Sequence, residues 1–273
     1  MNSMPDSTIR SSAAPIAVVT GAASGLGFEF SKLLAAEKYP LLMIDKNEAG
    51  LLEARSLILK NFGTDAEILC LNLSEQESAE KIMRQLESRD IGILINNAGF
   101  GLYGPFSNTS WETEAEMIRL HVGTLTHLTK LVVKKMLDRK TGRILNVSSL
   151  AALQPGPLFS VYSASKAYIR SFSMALAAEL RGTGVTATVL CPGQTHTNFA
   201  REVSYKSGSA LSKVPMTANA EKVAVYGYKA MQKGRSLAIP GFTNQCVALL
   251  SAILPHAFMA RINMQVQQKI RER

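Results

Sequence analysis

Apolar residues along this chain fall in short dense runs separated by longer stretches of helical period. Runs at 16–20, 40–45, 66–71, 91–95, 142–148, 184–190 and 236–239 are too uniformly apolar to alternate inside and outside. They predict strands buried on both faces, the mark of a parallel sheet. Between them the pattern predicts helices over 28–37, 48–61, 75–88, 111–137 and 219–233, with a further one carrying Tyr162 and Lys166. Strand–helix alternation of this kind predicts an α/β fold, a Rossmann-type doubly wound sheet of about seven strands with helices on both faces. It fills one domain over 15–241, with a flexible N-terminus at 1–14 and a C-terminal extension at 242–273.

The loops at the strands' carboxyl ends carry the chemistry, as open parallel sheets require. After the first strand comes Gly21-Ala-Ala-Ser24-Gly25-Leu26-Gly27, then a helix. Gly21 permits a tight turn, Gly25 lets backbone approach a pyrophosphate, Gly27 allows close helix–strand packing, and the helix N-terminus offers N–H donors. Asp45, 24 residues past Gly21, ends the second strand where a carboxylate can take both hydroxyls of an adenosine ribose and repel a 2′-phosphate. Lys46 beside it could attract that phosphate. The preferred cofactor is therefore NAD, with NADP the alternative. Asp45 could equally cap the helix that follows. Asn72 and Leu73 end the third strand, where they border an adenine or form a simple turn.

Tyr162 and Lys166 are four residues apart and share a helix face. An ammonium near the ring would favour the phenolate and lower the tyrosine's pKa from about 10. Ser149 lies thirteen residues before Tyr162. Its neighbour Ser148 points to the opposite side of the chain. Together they outline an acid–base site for a carbonyl or an alcohol.

Thr20-Gly-Ala-Ala-Ser-Gly-Leu-Gly27, Asn96-Asn97-Ala98-Gly99, Ser149, Tyr162-x-x-x-Lys166 and Pro192-Gly193 occur in the order and spacing of the short-chain dehydrogenases/reductases. The chain resembles that family over about 14–241. Within it, residues 97–106 and 239–242 are similar to the branch typified by the oxidoreductase DltE. The resemblance implies a dinucleotide held by the glycine loop, Asn97, Ala98, Gly99, Pro192, Gly193 and either Thr195 or Thr197. It implies Tyr162 as acid and base, Lys166 on the nicotinamide ribose, Ser149 on the substrate oxygen, and a homodimer or homotetramer. It usually places an asparagine where this chain has His121. An imidazole there either holds water for the lysine or titrates itself, or it is a satisfied core histidine.

The remaining features bound the function. The 273 residues carry 30 basic and 21 acidic side chains, net +9, without a compact basic block, so nucleic-acid binding is excluded. Cys70, Cys191 and Cys246 are dispersed, which predicts buried inert thiols rather than a disulfide framework or metal site. The polar start has no apolar signal core, and no apolar run is long enough to span a bilayer. A cytoplasmic protein is expected. Phe100, Leu102, Tyr103, Phe106, Leu150, Leu153, Leu158, Phe159 and Phe199 are the expected pocket walls, pointing to a small apolar carbonyl or alcohol substrate. The polar segment at 194–216 suits a substrate loop. The basic amphipathic tail suits a lid, a subunit contact or peripheral membrane contact. A dinucleotide-binding scaffold without turnover is the reading from another class.

Overall fold

The computed structural model describes residues 14–87, 89–196 and 218–271. Its centre is a seven-stranded parallel sheet in the order β3-β2-β1-β4-β5-β6-β9. The strands are β1 (Ile16–Thr20), β2 (Leu41–Asp45), β3 (Glu67–Cys70), β4 (Ile91–Asn96), β5 (Gly142–Val147), β6 (Val185–Leu190) and β9 (Leu237–Ala238). A separate pair joins β7 (Thr195–His196) to β8 (Ala218–Asn219).

The apolar runs remain two-sided strands. Ala17, Val19, Leu41, Met43, Ile93 and Ile95 enter one core, packed by Phe30 and Leu34 of α1 (Gly25–Ala36), Leu51 and Ile58 of α2 (Glu48–Phe62), and Val223 and Tyr228 of α7 (Ala220–Gln232). Their neighbours Ile16, Val18, Leu42, Ile44 and Leu94 enter the other. There they meet Ile82 of α3 (Ser78–Leu86) and Leu128, Val132 and Met136 of α5 (Leu125–Asp138). Each such fully buried aliphatic side chain contributes about 1.5–3 kcal/mol. The sheet order reverses between β1 and β4, which opens a crevice at their carboxyl ends.

A buried amide ladder locks the central strands together. Asn96 donates to Thr129 Oγ1 and to Asn146 Oδ1, both at 2.9 Å, and Asn146 donates to Ser173 Oγ at 2.9 Å. It ties β4, β5 and α5 to α6 (Ser160–Glu179), the helix that carries Tyr162 and Lys166. A register slip would strand these buried amides at a cost of about 1–3 kcal/mol each.

Three expectations are corrected. The helix expected over 111–137 is α4 (Trp111–Ile118), a π-helical turn (Arg119–Thr124) and then α5. The wider turn places His121 inward, fully buried. Helix α3 starts at Ser78 rather than 75, since Glu77 has φ 58°, outside helical space. Of the three cysteines only Cys191 is buried; Cys70 lies on edge strand β3 and Cys246 on an outward helix face, both exposed. Two helices follow the sheet, α8 (Phe242–Ile253) and α9 (His256–Arg271). The expected flexible start, Thr197, Phe199 and most of the segment at 194–216 lie outside the described residues.

Candidate active site

The crevice is a cleft of about 520 Å³. Of the residues singled out in the sequence, Gly21, Ser24, Gly25, Leu26, Asp45, Lys46, Asn72, Leu73, Asn97, Ala98, Gly99, Ser149, Tyr162, Lys166, Pro192, Gly193 and Thr195 all line it. Gly27 lies beneath it and His121 behind it, both buried.

The glycine loop is shaped by its neighbours. Gly21 has φ +65° and Gly25 +55°, conformations that favour glycine. A Cβ on Gly27 would land on the Gly21 carbonyl oxygen. The side chain of Asn97 fastens the loop: its amide donates to Thr20 O at 3.0 Å and Gly21 O at 3.1 Å. Thr20 Oγ1 in turn accepts from Asn97 N and Ala98 N, both at 3.0 Å. The helix α1 N-terminus begins at Gly25, earlier than the expected 28, so its first N–H groups face the cleft. The residues present fit a dinucleotide: backbone donors without side chains stand at one end, and a carboxylate stands at the edge. That carboxylate, Asp45, accepts from Ala23 N at 3.1 Å and Asn47 N at 3.0 Å. The cap of α2 is Asn47, which accepts from Gly50 N, so the alternative role weighed for Asp45 belongs to its neighbour. Lys46 Nζ lies 5.9 Å from the Phe100 ring centroid.

At the other end, β5 delivers two serines with different tasks. Ser148 Oγ donates to Lys166 O at 2.7 Å and so holds helix α6. Ser149 Oγ accepts from Ala151 N at 3.1 Å and bonds the Tyr162 phenol. Lys166 Nζ donates to Val147 O at 3.1 Å and sits 5.8 Å from the Tyr162 ring centroid. The electrostatics correct one expectation. Burial pushes the Tyr162 phenol up to about 12, against the lowering pull of Ser149. Burial also brings Lys166 down to about 8, against the raising influence of Cys191. The side chains are nine-tenths or more buried, so desolvation outweighs the ammonium's attraction.

His121 is a fixed cross-link. Ser165 Oγ donates to Tyr162 O at 2.7 Å, so it receives the Nδ1–H of His121 at 2.9 Å. The lone pair on Nε2 then accepts from Phe100 N at 3.3 Å. The ring is neutral, its pKa held well below 6.5 by burial and by the Lys166 charge. Of the readings open for His121, the satisfied core histidine fits this geometry, since both ring nitrogens already have partners. Gly99 is the space that makes it fit, since a Cβ there would stand 2.6 Å from His121 Nε2 and 3.2 Å from Lys166 Nζ.

The walls differ in part from expectation. Phe100, Leu150 and Phe159 line the cleft. Tyr103 and Leu158 instead pack on Phe159 and Met264 behind it, Leu102 joins a cluster with Met117 and Tyr162, and Phe106 is exposed. Sequence reading missed a polar wall. Gln154, Ser163, Asn263 and Gln267 line the cleft, the last two four residues apart on α9. That i,i+4 amide pair was the available signal. Asn263 donates to Pro155 O at 2.9 Å, Gln154 donates to Asn263 Oδ1 at 3.4 Å, and Tyr103 OH donates to Gln267 O at 3.1 Å.

The short chain dehydrogenase family model matches residues 15–208. Mouse 17-beta-hydroxysteroid dehydrogenase type 3 is 35% identical over 206 residues, 74% of this chain and 67% of that protein. Very-long-chain 3-oxoacyl-CoA reductase of Anas platyrhynchos is 32% identical over 190 residues, 68% of this chain and 61% of that one. The chain thus spans roughly three-fifths to two-thirds of the length of these relatives. Among solved structures, a short-chain dehydrogenase from Sphingobium yanoikuyae in complex with NADPH superposes with a TM-score of 0.79 at 25% identity, covering 87% of this chain and 93% of that one.

Proposed function

The chain belongs to the short-chain dehydrogenase/reductase family, oxidoreductases acting on CH–OH groups with NAD(P), and on that premise we propose that it interconverts a bulky apolar ketone or aldehyde with its alcohol. One observation carries the reading: Ser149, Tyr162 and Lys166 converge at one end of a cleft whose other end is the glycine loop and Asp45. A nicotinamide dinucleotide bound along that cleft would supply or accept the hydride. The protein's own task is the proton. In reduction the substrate oxygen would lie against Tyr162 and Ser149; Tyr162 OH releases its proton to that oxygen while Ser149 steadies the developing charge. Lys166, buried beside the ring, would offset the phenolate that remains. A phenol pushed up to about 12 rests in its protonated form, as a proton donor needs.

Several observations support an apolar substrate with a polar end. Phe100, Leu150, Ala151 and Phe159 form an apolar wall, and Gln154, Ser163 and Gln267 form a polar one. The two relatives named above are, by name, a 17-beta-hydroxysteroid dehydrogenase and a very-long-chain 3-oxoacyl-CoA reductase. The preference for NAD rests on Asp45, whose carboxylate two backbone N–H groups hold at the ribose end.

The experiment is reduced-dinucleotide fluorescence combined with turnover of hydroxysteroids, apolar ketones and 3-oxoacyl thioesters. Wild type should bind dinucleotide and turn over at least one class. Tyr162→Phe should still bind while its rate falls by ~10²–10⁴. Binding without turnover in both proteins would overturn the enzymatic reading in favour of a dinucleotide-binding scaffold.

A further inference from the structure

A surface helix ordinarily turns its apolar stripe to the core and its polar face to water. Helices α8 and α9 mix the two on both sides. Towards the domain, Ser251 is 5% exposed and donates to Gln154 Oε1 at 3.2 Å, and Asn263 and Gln267 border the cleft. Met259 and Met264 add apolar contacts on that side.

The outward edges carry the large apolar residues. On α8, Phe242 is 79% exposed, Leu249 64% and Ile253 71%. On α9, Phe258, Ile262 and Val266 recur every fourth residue, with 52%, 37% and 50% of their surface exposed. No other part of the described chain exposes so many large apolar side chains in sequence. Single exposed hydrophobics are ordinary, but a continuous face of them marks an interaction surface.

Charge selects the partner. From 242 to 273 the sequence holds one acidic residue, Glu272, against Arg261, Lys269, Arg271 and Arg273, in a protein of net +9. A second copy meeting this segment would oppose like net charge to like. We propose that α8 and α9 form a docking face for an anionic lipid surface, with the apolar edge in the acyl region and Arg261 at the headgroups. No helix among the described residues is long and apolar enough to cross a membrane, so the contact is interfacial. Because α9 also borders the cleft, docking sets the cleft beside the lipid, and a carbonyl compound dissolved there can enter without crossing water. That entry route rests on the proposed function, whereas docking itself does not.

The test is co-sedimentation of the full chain with phosphatidylcholine–phosphatidylglycerol vesicles and with phosphatidylcholine alone. Wild type should sediment with the anionic vesicles, less so in high salt, and remain in solution with the neutral ones. Ile253→Asp/Phe258→Asp should lower the bound fraction at least tenfold. Both side chains are exposed, so its thermal midpoint and its turnover of a water-soluble ketone should match wild type. Tyr162→Phe should sediment as wild type does, which separates docking from catalysis. Wild type remaining in the supernatant, or the double variant sedimenting undiminished, would overturn the proposal. So would a wild-type dimer that the double variant dissociates, since the face would then be a self-contact.

Discussion

Replacing His121 by asparagine should change how the protein's stability depends on pH, and the size of the change follows from the geometry. The imidazole is fully buried, donates through Nδ1 to Ser165 and accepts through Nε2 from Phe100 N. Lys166 and the Tyr162 ring face it from α6, and Phe100 faces it from the loop after β4. A second proton would have to displace the Phe100 N–H and sit near an ammonium, so the folded pKa lies well below 6.5, through burial first and Lys166 second. The unfolded chain takes up that proton near pH 6.5 and the folded chain does not. The unfolded state therefore binds more protons in this window, and stability falls as pH drops through 6.5. Above 6.5 the contribution is fully present. The loss between pH 7.5 and 5.5 is that of one proton taken up only by the unfolded chain, on the order of 1 kcal/mol. Asparagine has no such proton. Urea unfolding of both proteins at pH 7.5 and 5.5 should show wild type losing on the order of 1 kcal/mol more than His121→Asn, roughly 2–4 °C in thermal midpoint. Lost packing and altered hydrogen bonds, about 1–3 kcal/mol each, are common to both pH values and cancel in the double difference. Parallel pH dependences in the two proteins would refute the assignment of a neutral buried ring.

Three further outcomes follow from the cleft. With Lys166 titrating at about 8, dinucleotide affinity should weaken as pH rises from 7 to 9.5, read by fluorescence titration; a flat profile would remove the ammonium from the binding site. Gly99→Ala places a methyl 2.6 Å from His121 Nε2 and 3.2 Å from Lys166 Nζ, so kcat should fall at least ~10-fold, about 1.4 kcal/mol of barrier. Wild-type kcat in that variant would mean that Lys166 has another place to go. Asp45→Ser should raise the KM for NADH and shift the NADH/NADPH ratio of kcat/KM towards NADPH by ~10-fold, on the order of 1–2 kcal/mol for one charge contact. An unchanged ratio would show that the carboxylate does not read the ribose.

Much of the molecule is legible in its sequence because two local rules act together. Ile16–Thr20 and Ile91–Asn96 read as strands since both their faces are buried, and the glycine loop reads as a turn since Gly21 and Gly25 need positive φ. What escapes depends on distances that no pattern encodes. The π-helical turn at Arg119–Thr124 has the composition of its helical neighbours, so its extra width is invisible until its hydrogen bonds are seen. The Tyr162–Lys166 spacing reveals proximity but not dielectric, and burial raised the phenol where charge alone predicted lowering. Cys70 looked buried because its run is apolar, yet β3 is the sheet's edge. Asn263 and Gln267 escape because a polar pair on a tail helix ordinarily faces water, and here it borders the cleft.

The carboxylate of Asp45 is also a brace. Its Oδ2 holds Ala23 N in the turn after β1, while Oδ1 holds the start of α2. The group proposed to choose between two dinucleotides is thus part of the scaffold of the loop that would bind what they share. Any replacement that relaxes the choice also loosens that loop, so selectivity and affinity are thermodynamically coupled through one side chain. Changing the preference without losing affinity would therefore take a second substitution, one that restores an acceptor for Ala23 N without restoring the negative charge.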